Sequence, residues 1–194
     1  MSYPKPDTRC LTYADHLVGP EGPCDELIDG ALFVREPPAP TWLHQKIVGG
    51  LYYQIHMALE GKRGHAFIAP VDVLLPKSGE ADEQVDTVVQ PDVFIVCDLQ
   101  KLGKRAIRGA PDWVAEVLSP STAKRDQTVK RSVYERAGVK ETWFIHPTKR
   151  TLALYRLEDG RYADATVLEL KGKTTLSAVP GVTIDWDRLL TEVG

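Results

Sequence analysis

Two acidic residues occupy places where acids are expensive. In "TVVQPDVFIVCD", Asp92 follows Pro91 at the start of an apolar run that reads as one buried strand, and in "DWVAEVLSPST", Glu116 lies within another. Side chains alternate along a strand, so Glu116 shares a face with Val114 and Leu118, while Trp113, Ala115 and Val117 take the opposite one. A carboxylate buried alone is strongly disfavoured or takes up a proton, unless something compensates it. One arrangement answers both cases. Carboxylates from neighbouring strands can share a hard divalent cation such as Mg²⁺, which prefers oxygen ligands at about 2.0–2.1 Å and keeps several of its waters. Such an ion activates water toward a phosphodiester and neutralises charge on the leaving oxygen. Structural networks also absorb buried acids through Arg or hydrogen-bond donors, so residue types alone leave both readings open.

The elements that must position these acids follow from turn and periodicity signals. Asp29-Gly30 in "DELIDGALFV" predicts a tight hairpin. Thr41 predicts the cap of a helix running to about Glu60, with Leu43, Ile47, Leu51, Ile55 and Leu59 as its apolar stripe; Gly49 and Gly50 weaken it. "HAFIAPVDVLL" reads as a strand, and the acidic "GEADEQVD" as a solvated loop. After the two acid-bearing strands, a second helix is expected from about Ser121 to Ala137, capped by Ser119 or Ser121 and stopped by Gly138. "ETWFIHP" then reads as a buried strand, Glu158-Asp159-Gly160 as a second hairpin turn, and "IDWDRLL" as a short closing helix. The order predicts an α/β fold, a mixed central sheet flanked by helices with hairpins near both termini.

Composition narrows the class. The 194 residues suit one domain spanning 1–194, with 1–10 loosely ordered and a core of about 41–147. A hydrophobic content of 43% with 26% charged residues is globular, and no apolar run approaches the roughly 20 residues of a membrane span. "MSYPKPDTRC" has no apolar segment resembling a secretory signal, so the expected location is the cytoplasm. Cys10, Cys24 and Cys97 are odd in number and far apart, which fits neither a disulfide framework nor a thiolate metal site. The net charge of -3 argues against binding nucleic acid by overall charge and leaves only a local patch for that purpose.

Taken together, "DELIDG", "APVDV", "VVQPDVFIV", "GAPDWVAEVLSPST", "RDQTVKRSVYERAGVKETWFIHP" and "LYRLEDGRY" form an ordered set from about Leu11 to Leu190. This set resembles the Uma-two family of bacterial restriction endonucleases, in the PD-(D/E)XK nuclease superfamily. The resemblance implies a restriction-endonuclease-like core, dependence on Mg²⁺ (or Mn²⁺), and DNA as the partner and substrate. It makes Asp92 the acid of the "PD" half-motif, Glu116 the second acid, and the Val117 carbonyl a further metal ligand. The chain departs from the pattern next: where the superfamily carries Lys two residues beyond the acid, it has Leu118.

Lys130 is the candidate replacement. Asp126, Lys130 and Tyr134 recur every fourth residue beside Val129, Val133 and Ala137, so a helix packed near Glu116 would let the lysine stem reach the strand position. The plain alternative is an exposed Lys130–Asp126 pair worth about 0.3–0.5 kcal/mol. Glu26, Asp72, Asp126, Tyr134 and His44 are candidate supports for the metal ligands, set against turn-bonding acids and an ordinary packed histidine. Lys101, Lys104, Arg105 and Arg108, in the loop joining the acid-bearing strands, are candidate phosphate contacts, against a solvated charge run.

Three function classes follow. The leading one is a metal-dependent nuclease with Asp92, Glu116 and Lys130 as its catalytic set. A second is a catalytically inactive nuclease-fold module that binds nucleic acid or protein, motivated by Leu118. A paired-carboxylate glycosidase is the third and needs no metal. Nucleases of this fold often act as homodimers so that two sites reach both strands, although the sequence carries no interface signal of its own.

Overall fold

The computed structural model describes residues 10–18, 26–33, 39–119 and 126–191. In chain order the elements are α1 (Tyr13–Val18), β1 (Glu26–Ile28), β2 (Ala31–Phe33), α2 (Trp42–Leu59), β3 (His65–Ile68) and β4 (Val73–Leu74). Then come β5 (Val88–Val89), β6 (Val93–Val96), β7 (Ile107–Arg108) and β8 (Trp113–Val117). A π-helical turn, Asp126–Lys130, leads into α3 (Arg131–Ala137) and β9 (Glu141–His146). The chain continues through β10 (Thr151–Glu158), β11 (Arg161–Tyr162), β12 (Thr166–Glu169), β13 (Lys173–Thr175), β14 (Thr183–Asp185) and α4 (Trp186–Leu190).

The central sheet has the order β11-β10-β9-β8-β6-β3, with β12 also pairing β10; it is mixed, because β8 and β9 run parallel while the other pairs are antiparallel. A smaller sheet, β2-β1-β5-β4-β7, packs against one face, and β13-β14 form a separate ribbon. Alternation along the strands divides the core. Val93, Ile95, Trp113, Ala115, Val117, Trp143 and Ile145 face α2 and α4, whereas Phe94, Val96, Val114, Leu118 and Phe144 face α3 and the smaller sheet. Both faces of the sheet are therefore covered, which is why β6 reads as an unbroken apolar run and β8 as one interrupted only by Glu116.

Local chemistry explains most boundaries. The Thr41 hydroxyl accepts from the His44 amide at 3.2 Å, fixing the start of α2, and Ile47, Leu51, Ile55 and Leu59 form its buried stripe as expected. Gly50, a weak point for a helix, lets α4 approach: a Cβ there would lie 2.7 Å from Leu189 Cγ. The β1-β2 turn uses Asp29 and Gly30 at φ 49° and 76°, the conformation that a two-residue hairpin of this twist demands. Asp159-Gly160 repeats that turn between β10 and β11, and α3 stops at Gly138, as expected.

Two expectations are corrected. "TVVQPDVFIV" is two strands, β5 in the smaller sheet and β6 in the central one, separated at Gln90-Pro91-Asp92; Pro91 offers no N–H to a ladder and restricts the residue before it. "HAFIAPVDVLL" is likewise divided between the two sheets, as β3 and β4. "GEADEQVD" stays largely in solvent as expected, with a short 3₁₀ turn at Asp82–Gln84; Arg108 pairs with Asp82 and donates to the Glu80 carbonyl at 2.5 Å. The helix expected from Ser121 begins outside the described residues, and its first described turn is π rather than α.

Candidate active site

Asp92 and Glu116 are brought together by sheet register. In the antiparallel β6-β8 pair Val93 stands opposite Ala115, so one step further Asp92 falls opposite Glu116. The Val117 amide donates to Asp92 Oδ2 at 2.8 Å, tying the carboxylate across to the neighbouring strand. Both acids are buried, at 4% and 3% exposure. Because Asp92 ends the break between β5 and β6, it sits where the two sheets diverge, and side chains reach the Asp92 and Glu116 pair from both layers.

From one layer comes His44, whose Nε2 is 3.3 Å from Asp92 Oδ2. From the other comes Lys130, at the end of the π-helical turn: its Nζ lies 3.0 Å from Glu116 Oε1 and 2.9 Å from Glu26 Oε1. Tyr134, one turn further along, donates its hydroxyl to Glu116 Oε1 at 2.5 Å. π-turns widen the helix by one residue and recur at functional sites. Burial pushes the Asp92 carboxyl upward, but the His44 hydrogen bond and charge, the Lys130 ammonium and the Val117 N–H outweigh it and hold the group below the usual carboxylate range.

A polar chain extends outward from this centre. Glu26 Oε1 also accepts from the Gln90 amide at 2.9 Å, and the Gln90 side chain donates to Asp72 Oδ1 at 2.8 Å. Asp72 in turn meets the Tyr13 hydroxyl at 3.4 Å and His16 Nε2 at 3.9 Å. Gln90, Tyr13 and His16 were not singled out from the sequence. Gln90 directly precedes the "PD" pair, which was the one available signal; Tyr13 and His16 belong to a short helix that no periodicity announced. A further polar pair, Gln127 Nε2 and His146 Nε2 at 2.7 Å, links the π-turn to the end of β9. Burial, with Lys149 nearby, holds the His146 imidazole below its ordinary value.

The structure thus joins Asp92, Glu116, Lys130, Tyr134, Glu26 and His44, with Asp72 connected through Gln90. Asp126 lies in the π-turn, and its side chain is outside the described residues. The basic loop is not gathered there. Lys101 donates to the Ala110 carbonyl at 2.7 Å, and its charge acts on Cys97 and Asp112, at the end of β6 and β8 remote from Asp92 and Glu116. Arg108 is engaged by the acidic turn, while Lys104 and Arg105 are exposed. The reason is topological: a connection between antiparallel neighbours leaves from the far end of the first strand, away from an acid at its beginning.

A third buried acid supplies a contrast. Glu141, fully buried in β9, accepts from Trp143 Nε1 at 2.6 Å through Oε1 and from the Ser177 and Ala178 amides at 2.8 and 3.1 Å through Oε2. Both of its oxygens are saturated by fixed donors, as a structural acid requires. Asp92 differs: the Val117 amide and the His44 ring both meet Oδ2, and among the described residues none donates to Oδ1. No group of three or more His, Cys, Asp or Glu able to cage a metal occurs among the described residues. An ion held here would therefore rely on two carboxylates, main-chain oxygen and water, a donor set suited to a hard cation.

The mixed α/β fold, a central sheet covered on both faces, is shared with proteins already known. The chain belongs to the Uma2 family, described as "Putative restriction endonuclease", whose profile matches residues 15–187. A solved structure from Anabaena variabilis ATCC 29413, described as "a putative nuclease belonging to DUF820", shares the fold. It superposes with a TM-score of 0.72 at 21% identity, covering 93% of this chain and 98% of that one. Among curated proteins none matches. No described helix is long and apolar enough to cross a membrane.

Proposed function

We propose that the protein is a Mg²⁺-dependent nuclease that hydrolyses DNA phosphodiester bonds, with its lysine supplied by the helix after β8 instead of by β8 itself. The observation that carries this reading is the placement of Lys130 Nζ 3.0 Å from Glu116 Oε1, while Leu118 fills the strand position. Family membership supports the reaction class, and the open Oδ1 of Asp92 fits a cation. Asp92, Glu116 and the Val117 carbonyl would hold Mg²⁺ or Mn²⁺. When bound, that ion supplies Lewis-acid polarisation of a phosphoryl oxygen and an acidified water.

The remaining work falls to the chain itself. Lys130, braced between two carboxylates, keeps a fixed positive charge beside the position where phosphate charge develops, and a preorganised charge in a water-poor site is worth far more than one in solvent. Tyr134 holds Glu116 in place. Gln90 and Glu26 tie the smaller sheet to Lys130, so the two sheets cannot separate without disturbing the lysine.

A second reading has its own support. Lys130 and Tyr134 together satisfy Glu116 Oε1, an arrangement that an inactive scaffold would also find stable. A cleavage assay on single- and double-stranded DNA with Mg²⁺ or Mn²⁺ decides between them. The nuclease reading expects metal-dependent products that vanish in Asp92→Ala; absence of products from the wild-type protein on both substrates favours the scaffold.

A further inference from the structure

We propose that His44 is a positioning residue for Asp92: its imidazole holds Oδ2, which leaves Oδ1 available to a cation. The inference rests on the metal-binding reading above and names the residue that orients its first ligand. His44 is the third residue of α2, and its own amide is held by the Thr41 hydroxyl at 3.2 Å, so the helix start that carries it is fixed. Its side chain is 8% exposed, with Nε2 3.3 Å from Asp92 Oδ2; the Val117 amide reaches the same oxygen at 2.8 Å. A main-chain hydrogen bond from the neighbouring strand and an ion-pair contact from the helix meet on a single oxygen and oppose rotation of the carboxylate.

The second ring nitrogen shows that packing does not explain the residue. With Nε2 turned to Asp92, the other ring nitrogen, Nδ1, is buried without a hydrogen-bond partner. A buried polar atom left unmatched asks for a reason. An apolar side chain of similar size would fill the space without that cost, and only the N–H on Asp92 would be lost. Partners that orient a metal ligand typically govern metal affinity by about 10- to 100-fold.

The test is calorimetric titration of Mn²⁺ into the whole chain, without substrate, for wild type, Asp92→Asn, His44→Leu and His44→Gln. Gln places an N–H near the Nε2 position, whereas Leu keeps the bulk and removes the donor. The expected result is loss of binding in Asp92→Asn, about 10- to 100-fold weaker binding in His44→Leu, and affinity close to wild type in His44→Gln. Equal affinity in His44→Leu and wild type overturns the positioning role while leaving the metal site intact. Equal weakening in Leu and Gln overturns it as well, since the N–H would then not be the agent. No Mn²⁺ binding by the wild type, or undiminished binding in Asp92→Asn, overturns the metal reading and the inference with it.

Discussion

Lys130 lies between two glutamates from different sheets, 3.0 Å from Glu116 Oε1 on β8 and 2.9 Å from Glu26 Oε1 on β1. All three groups are buried, so the ammonium offsets the repulsion between the two carboxylates. Removing it in Lys130→Met leaves two buried anions facing one another. A loss of about 3–5 kcal/mol of stability is expected, measured by urea unfolding without divalent metal. Adding Glu26→Gln should recover part of that loss, because one of the two carboxylates that met the ammonium is gone; a strictly additive double variant would contradict this pairing.

The lysine is predicted to be movable. Lys130→Leu should lower metal-dependent cleavage by about 10²–10³-fold, the usual cost of removing a group that stabilises transition-state charge. Leu118 is buried two residues beyond Glu116 on the same strand face, so Lys130→Leu with Leu118→Lys should regain activity over the single variant. Cleavage rates of the two variants, measured side by side, test whether position relative to Glu116 is what matters.

Acid sensitivity should be traceable to Asp112, at the other end of β8. Burial raises its carboxyl, but the hydrogen bond from Lys140 at 2.7 Å, the Cys97 amide at 2.8 Å and the lysine charges hold it below the usual range. A depressed folded-state value means that the stabilisation is fully present above the unfolded value of about 3.9 and is lost as pH falls through the folded one. Asp112→Asn should therefore be less stable at neutral pH and show a flatter decline below about pH 4, followed by denaturant midpoints across pH.

Adjacent glycines in α2 should respond oppositely to the same change. A Cβ at Gly49 meets nothing within 4 Å, so Gly49→Ala should stabilise by about 0.5–1 kcal/mol through helix propensity. At Gly50 the added carbon would lie 2.7 Å from the buried Leu189, so Gly50→Ala should destabilise despite the same propensity gain. Paired melting curves check both signs.

Much of the fold was legible because it follows from local rules. The Thr41 cap, the α2 stripe, the Asp29-Gly30 and Asp159-Gly160 turns and the buried β8 and β9 runs each rest on a few adjacent residues. The break at Pro91 was less visible, since Val88–Val89 and Val93–Val96 are equally apolar and only the change of sheet separates them. The basic loop misled for a similar reason: nearness in sequence to both acids said nothing about which end of the strands it occupies.

By itself, the sequence determined that two acids had to be buried, because each sits in an apolar stretch, and that the strand carrying Glu116 brings no ammonium two residues on, because Leu118 stands there. Only the tertiary structure decided who meets whom. The β6-β8 register sets Asp92 opposite Glu116, the π-turn delivers Lys130, the smaller sheet contributes Glu26, and α2 brings His44 to Asp92. Alternation and propensity act within a few residues, whereas a buried charge is settled by whichever partner the packing of distant segments brings within about 3 Å.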